Sequence, residues 1–201
     1  MAFFGFVSER ECQQWKGASP YLPAFSFYEQ HQSEPIHASP EAIIQAVLSL
    51  DMTEDPIIRR LLMLRQLPGK FWQSLTRIKK TEQPAAFGFD TFTLLHHGSH
   101  EVSLGLTGRF WRPMLDVKKL ETAEEFHRFT APDAAKLVLR FSVTQDSAGL
   151  ATLSTETFVW CPTPQVKARF ACYWAAIRPA SGWIRRRTLR SVQQKLATSA
   201  T

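Results

Sequence analysis

The chain has 201 residues, of which 44% are hydrophobic and 21% charged, and its formal net charge is +6. This composition is typical of a soluble globular protein and excludes the disordered and fibrous classes. No apolar run approaches the roughly 20 residues that a membrane-spanning helix needs, and the opening residues lack the basic start of a secretory signal. We therefore expect one cytoplasmic domain over residues 25–201, preceded by an N-terminal extension of residues 1–24.

The positive charge is concentrated at the C-terminal end. From residue 161 onward there are eight basic residues and no acidic one, which leaves −2 of the total +6 for residues 1–160. Phosphates of a nucleic acid or a membrane surface would attract such a segment. Because Arg185, Arg186 and Arg187 are consecutive and point around a helix, the pattern favours a solvated helix end. We expect no nucleic acid, and weak contact of the basic C-terminus with an anionic membrane or an acidic partner stays open.

The first part of the domain predicts a strand and two short helices. Residues 25–37 mix aromatic and polar side chains, which is typical of a strand, and Pro35 confines part of it to an edge or a bulge. Ser39 suits the N-cap of a helix and Pro40 its first position. A second short helix is predicted over residues 55–67.

The middle of the chain predicts a curved sheet. Residues 90–97 and 100–111 are two strand-like runs separated by a Gly-Ser turn signal, which indicates a hairpin. Gly105 and Gly108 would weaken a flat strand, so we interpret them as sites of strong bending or a bulge.

A short helix and a second hairpin follow. Thr122 and Glu125 have the spacing of a capping box, which predicts a helix over residues 122–129. Residues 136–146 and 150–160 then form two further strands, and the apolar residues of the first of these alternate with polar ones. One face of this hairpin is therefore apolar.

The chain ends in a long predicted helix that starts at residue 163 or 164. Val166, Phe170, Trp174 and Ile177 recur at helical spacing and form a bulky apolar stripe. Such a stripe needs a concave partner, which the curved strands supply. Pro179 predicts a kink, which either gates the mouth of a cavity or follows the curvature of the body, and we favour the second interpretation.

The order of a strand, two short helices, several strands and a long helix is the helix-grip arrangement, an α+β fold. The stretches YEQHQSEPIHASPEAI, EVSLGLTGRFWRP, LRFSVTQDSAGLATLSTETFV and YWAAIRPASGWIRR resemble the START and birch-pollen-allergen superfamily, also called SRPBCC or polyketide cyclase-like, and in particular an uncharacterised bacterial branch of it. The resemblance covers about residues 25–196. It implies a curved antiparallel sheet around a kinked C-terminal helix, with a hydrophobic cavity between them.

Several side chains are candidates for chemistry. His96, His97 and His100 lie at a hairpin tip, and because strand neighbours point to opposite faces we expect an exposed tip without a metal. Arg109 and Glu156 face away from the main apolar side and suggest a cross-strand ion pair, although an inward Glu156 would be a buried acid or base. We interpret the three widely spaced cysteines as small buried hydrophobes: Cys12, Cys161 and Cys172.

The sequence favours noncovalent binding of a small hydrophobic molecule, such as a lipid, a sterol or a polyketide-like compound, without a cofactor. The alternative is a polyketide cyclase- or dehydratase-like enzyme in which at least two of Tyr28, His31, Arg109 and Glu156 converge in the cavity. With Glu156 outward, Thr155 and Thr157 are the inward polar groups. The predicted lining is Phe92, Leu94, Leu104, Leu106, Phe110, Leu139, Phe141, Leu153, Thr155, Phe170, Trp174 and Ile177.

Overall fold

The computed structural model describes residues 5–50, 91–112 and 116–199. Within these ranges the strands are β1 (Phe27–Gln32), β2 (Thr93–His97), β3 (Glu101–Arg109), β4 (Asp116–Lys118), β5 (Ala135–Gln145) and β6 (Ala151–Trp160). The helices are α1 (Glu9–Gln13), α2 (Pro40–Leu48), α3 (Ala123–Arg128) and α4 (Pro164–Ser199).

The six strands form one antiparallel, curved sheet in the order β1-β6-β5-β3-β2, with β4 paired to β3. The fold class is α+β, as the sequence predicts. Both hairpins occur where turn residues separate the strand-like runs, β2 with β3 and β5 with β6. The strand β1 is far from β6 in sequence and pairs with it along its whole length.

Local chemistry explains where two of the helices begin. The Ser39 hydroxyl accepts a hydrogen bond from the Ala42 amide at 3.2 Å, and Pro40 opens α2. The Thr122 hydroxyl caps α3 in the same way by accepting from the Glu125 amide at 3.1 Å. The Glu125 carboxylate accepts from the Glu121 amide, so the predicted capping box is half formed. The second short helix, predicted over 55–67, lies outside the described residues.

The two strand glycines permit close contacts, and the interpretation as a bulge is wrong for both. A Cβ on Gly105 would lie 2.8 Å from the Phe126 ring, and one on Gly108 would lie 2.3 Å from the Asp116 carbonyl oxygen. Gly108 also has a φ of 147°, which other residues rarely adopt. The bulge lies instead in β2, between Leu94 and His96.

The final helix α4 extends over 36 residues without a break, through Pro179. Its first half packs Phe170 and Trp174 on the sheet, where they are 1% and 2% exposed. Its second half contacts α2 and buries Leu189 and Val192 in the same core. One apolar stripe therefore anchors the helix on both sides of the proline.

Both faces of the sheet are covered. We call the side that packs on α2 and α4 the helix face, and its core includes Leu104, Leu106 and Leu153. The opposite side, the N-terminal face, packs on α3 and on residues 5–25. Val7 and Leu22 are 2% and 5% exposed there, so the segment that the sequence marks as an extension is part of the packed body. None of the helices described is long and apolar enough to cross a membrane.

Candidate functional site

A group of polar side chains lies on the helix face, which is otherwise apolar. In the antiparallel pairing of β1 with β6, Glu29 lies opposite Thr157 and His31 lies opposite Thr155. Because alternate residues of a strand point to the same side, all four share the face that also carries Phe27. We call these four residues, together with Trp174, Arg178 and Arg185 of α4, the polar cluster.

The helix supplies its part of the cluster through one stripe. Trp174, Arg178, Gly182 and Arg185 follow one another at spacings of four, four and three, so they face the same way. A Cβ on Gly182 would lie 3.3 Å from the Glu29 Oε1 atom and 3.3 Å from the His31 ring. The helix approaches β1 this closely because position 182 has no side chain.

Glu29 is the centre of the charged contacts. Its Oε1 atom lies 3.1 Å from the His31 Nε2 atom and 3.8 Å from the Arg178 Nε atom. The Glu29 side chain is 6% exposed, and at such a site a carboxylate is stable only with compensating partners. Arg178 supplies the opposite charge and His31 a ring nitrogen.

Arg185 carries the second positive charge of the cluster. Its Nε atom donates to the Ser181 hydroxyl at 3.3 Å and its Nη1 atom to the Thr155 hydroxyl at 3.4 Å. Among the described residues, no carboxylate forms an ion pair with it. Burial lowers the pKa of the Arg185 guanidinium, and the charge of Glu29 partly offsets this effect.

Three atoms of the cluster have unmet hydrogen-bonding capacity. They are Glu29 Oε2, Thr157 Oγ1 and Trp174 Nε1, the buried side-chain atoms of the described residues for which no partner is found. Leaving a buried polar group unpaired costs about 1–3 kcal/mol. Glu29 and Thr157 lie opposite each other in β1 and β6, whereas Trp174 Nε1 lies towards Gly5, where an added Cβ would be 3.1 Å from it.

The apolar surface beside the cluster is incompletely covered. Leu139 lies opposite Thr157 in the pairing of β5 with β6, and Leu137 is two residues away on the same face. Both belong to a central strand of the sheet, yet both are only half-buried, whereas Leu153 of β6 is fully buried. We call Leu137 and Leu139 the apolar floor. The site thus consists of this accessible apolar floor and the neighbouring polar cluster.

Most of the predicted lining lies on the helix face. Ten of the twelve residues are buried or partly buried at its core or beside it: Phe92, Leu104, Leu106, Phe110, Leu139, Phe141, Leu153, Thr155, Phe170 and Trp174. Two are more exposed. Leu94 has the helix-face register but is 51% exposed, because it belongs to the edge strand β2, and Ile177 is half-buried.

The residues of the enzyme hypothesis separate onto the two sides of the sheet. The Tyr28 hydroxyl donates to Glu156 Oε1 at 2.6 Å, and Arg140 pairs with Glu156 Oε2 at 2.6 Å, both on the N-terminal face. Burial and the Glu156 hydrogen bond raise the pKa of Tyr28. Of the four hypothesised residues, His31 alone belongs to the polar cluster.

The suggested pairing of Arg109 with Glu156 is wrong. Arg109 pairs instead with Asp116 at 3.4 Å and with Asp133 at 3.1 Å, at the other end of the sheet. Glu156 is outward from the helix face, as the alternation of β6 predicts, and its positive partner is Arg140 on the neighbouring strand. Cross-strand neighbours, which the sequence does not specify, decide both pairings.

Two other predicted features have simple outcomes. The tip residues His96, His97 and His100 are exposed, and no group of three potential metal-ligating side chains occurs within the described ranges. All three cysteines are free, but Cys161 is buried, Cys12 is half-buried and Cys172 is exposed. The interpretation of all three as buried hydrophobes is therefore wrong for Cys172, which lies on the solvent side of α4.

Sequence reasoning missed Glu29, Arg178 and Arg185 as members of a site. A signal existed in the alternation of Phe27, Glu29 and His31, which puts charge on the face of a buried aromatic residue. Comparison with protein family models, with curated proteins and with solved structures finds no match for this chain. The site is therefore interpreted from its own geometry.

Proposed function

We propose that the protein binds a small, largely apolar molecule between the sheet and α4, with a polar end of the molecule at the polar cluster. The observation that carries the proposal is the occurrence of two unpaired buried atoms, Glu29 Oε2 and Thr157 Oγ1, on facing residues of β1 and β6. The large majority of buried side-chain polar atoms in native proteins have a hydrogen-bond partner. A bound molecule with hydrogen-bonding groups at one end would satisfy Glu29 Oε2 and Thr157 Oγ1, while the half-buried Leu137 and Leu139 contact its apolar part.

We further propose that this arrangement is a helix-grip fold of the START and SRPBCC kind. The support is the element order, in which β1 and α2 precede two hairpins and one long terminal helix packs along the sheet. In such a fold the space between helix and sheet is the place for a lipid, a sterol or a polyketide-like compound. Localisation in the cytoplasm accords with this role and stays a proposal.

A space-filling substitution tests for a usable site. Leu139→Trp adds bulk where a side chain is half-buried, so we expect it to reduce binding of the neutral fluorescent probe N-phenyl-1-naphthylamine at least tenfold. The free energy of unfolding should change by less than about 1 kcal/mol, because a filled hollow is not an overpacked core. Fluorescence titration and urea unfolding measure the two quantities.

The matched control is Leu153→Trp, on the same face at a position with 0% exposure. Overpacking there should destabilise the protein by about 1–3 kcal/mol. Equal destabilisation by both substitutions, or no binding of the probe to the unaltered protein, would contradict the proposal and indicate a solid core.

A second candidate is proton transfer on the bound molecule, as in a cyclase or dehydratase. The contact of His31 Nε2 with Glu29 Oε1 at 3.1 Å favours it, because a carboxylate orients and stabilises a histidine that accepts a proton. We would measure the exchange of the C2 protons of a 3-oxodecanoyl thioester for deuterium by NMR. Acceleration of about 100-fold or more over buffer, lost in His31→Gln, is expected for a general base. Equal rates for both proteins would remove this candidate.

A further inference from the structure

We propose that the polar end of the bound molecule is a carboxylate and that Arg185 binds it. This inference rests on the function proposed above and names the class of ligand, an organic acid with a hydrocarbon portion. The hydrocarbon portion would lie over Leu137 and Leu139 of β5.

The hydrogen bonds of the half-buried Arg185 guanidinium are long. Hydrogen bonds from arginine to an ionised acceptor are typically about 2.7–2.9 Å long. Arg185 makes its contacts at 3.3 and 3.4 Å, and both acceptors are neutral hydroxyls, those of Ser181 and Thr155. A carboxylate would supply the charged acceptor that the described residues do not.

The charge balance of the cluster indicates one added negative charge. Glu29 carries one negative charge and Arg178, at 3.8 Å, balances it. Arg185 then remains as one unbalanced positive charge. A carboxylate brings one negative charge, whereas a phosphate monoester brings about 1.5 to 2. The nearby Glu29 carboxylate, with its unpaired Oε2 atom, disfavours that larger charge through repulsion.

The sheet register also places Arg185 near the apolar residues of β5. Thr155, which contacts Arg185, lies opposite Phe141 of β5, and Leu139 lies two residues further on the same face. Neighbouring strands are about 4.8 Å apart. A hydrocarbon chain that starts at a carboxylate bound to Arg185 can therefore extend to Leu139 and Leu137. The Thr157 hydroxyl lies opposite Leu139, within the same path, where it can contact polar substituents.

The test compares ligands that differ only at one end. Decanoate and decan-1-ol are titrated into the full chain at pH 8 by calorimetry, below the concentration at which either self-associates. We expect decanoate to bind about tenfold tighter or more, because a charge-assisted hydrogen bond to an arginine is stronger than a hydrogen bond between neutral groups. In Arg185→Gln the two affinities should agree within about twofold. Decyl phosphate should bind more weakly than decanoate.

Arg186→Gln is the matched control, since Arg186 is the exposed neighbour in sequence, and it should keep the preference for the acid. Should Arg185→Gln fail to fold, Thr155→Val is the second variant. It keeps the arginine but removes the hydroxyl that holds its Nη1 atom in place, so it should lower the preference for decanoate over decan-1-ol several-fold. Equal binding of acid and alcohol to the unaltered protein, or tighter binding of the phosphate, overturns the inference and leaves the proposed function standing. If none of the three probes binds, both this inference and the proposed function are overturned.

Discussion

At Gly182 the final helix comes close to β1, and a single missing side chain decides the distance. A Cβ there would be 3.3 Å from both Glu29 and His31, so the position tolerates no branched residue without movement of these two side chains. Glycine inside a helix costs about 1 kcal/mol relative to alanine. The contact between helix and polar cluster is thus maintained against local helix preference.

Gly182→Val should lower the free energy of unfolding by about 1–3 kcal/mol, because the added methyl groups push α4 away from β1. It should also weaken binding of N-phenyl-1-naphthylamine by displacing Glu29 and His31. Ala180→Val is the control, since Ala180 is exposed on the same helix and the change there affects only helix propensity. Equal effects of the two substitutions in urea unfolding would show that the close approach is unimportant.

The second prediction at the residue scale concerns the effect of Tyr28, on the N-terminal face, on stability at high pH. Its raised pKa means that the folded state holds the phenol proton more firmly than the unfolded chain, whose tyrosines titrate near pH 10. The stabilising contribution is therefore complete below about pH 10 and is lost as the pH rises above it. Tyr28→Phe removes the bond to Glu156 and should cost about 1.5–3 kcal/mol at pH 7.

Unfolding curves at pH 7 and pH 11 test whether the stabilising contribution of Tyr28 falls as the pH rises. The difference in stability between the unaltered protein and Tyr28→Phe should shrink at pH 11, because ionisation of the tyrosine then stabilises the unfolded chain. Trp15→Phe controls for packing, since Trp15 lies against the Tyr28 ring at 4.6 Å without a titratable group. A difference that stays constant between the two pH values would contradict the assignment.

At the scale of elements, α4 carries part of the polar cluster and part of the apolar core. It runs unbroken past Pro179, although proline removes a helical hydrogen bond and crowds the preceding turn. Its aromatic residues hold the first half against the sheet, with Phe170 and Phe27 centroids 4.8 Å apart, and Leu189 with Val192 hold the second half. Tertiary contacts on both sides outweigh the local preference for a break.

Pro179→Ala should therefore stabilise the protein, by up to about 3 kcal/mol, because it restores a backbone donor at an exposed position of a helix that already exists. Thermal unfolding should show a rise of about 2–4 °C for each kcal/mol. Ala180→Pro, one residue further along, should destabilise by about 3 kcal/mol or more. A lower unfolding temperature for Pro179→Ala would instead indicate that the packing requires a bend at this residue.

At the scale of the whole molecule, the sheet is the middle layer of three. The helix face packs on α2 and α4, and the N-terminal face packs on α3 and residues 5–25. The guanidinium of Arg140 connects the sheet with the N-terminal segment, since it pairs with Glu156 and donates to the Gly17 carbonyl oxygen at 2.7 Å. Residues 5–25 thus complete the core on the N-terminal face of the sheet.

Deletion of residues 1–24 should destabilise the domain strongly. The loss of the buried Val7 and Leu22 alone corresponds to about 3–6 kcal/mol, which is comparable to the whole stability of many domains. We expect a lower urea midpoint or insoluble protein. Trp15→Ala should have a smaller effect in the same direction. Unchanged unfolding after the deletion would contradict the integration of this segment.

The sequence by itself determined the elements, and only the tertiary structure decided the site. Alternation, turn residues and the caps Ser39 and Thr122 predicted both hairpins and the helices that they begin, because these signals act over a few residues. The polar cluster depends on β1 pairing with β6 and on the rotation of α4 about its axis. Both are long-range outcomes of burial. Arg185, which the sequence shows only as one of three adjacent arginines, therefore comes to contact Thr155 of the sheet through packing alone.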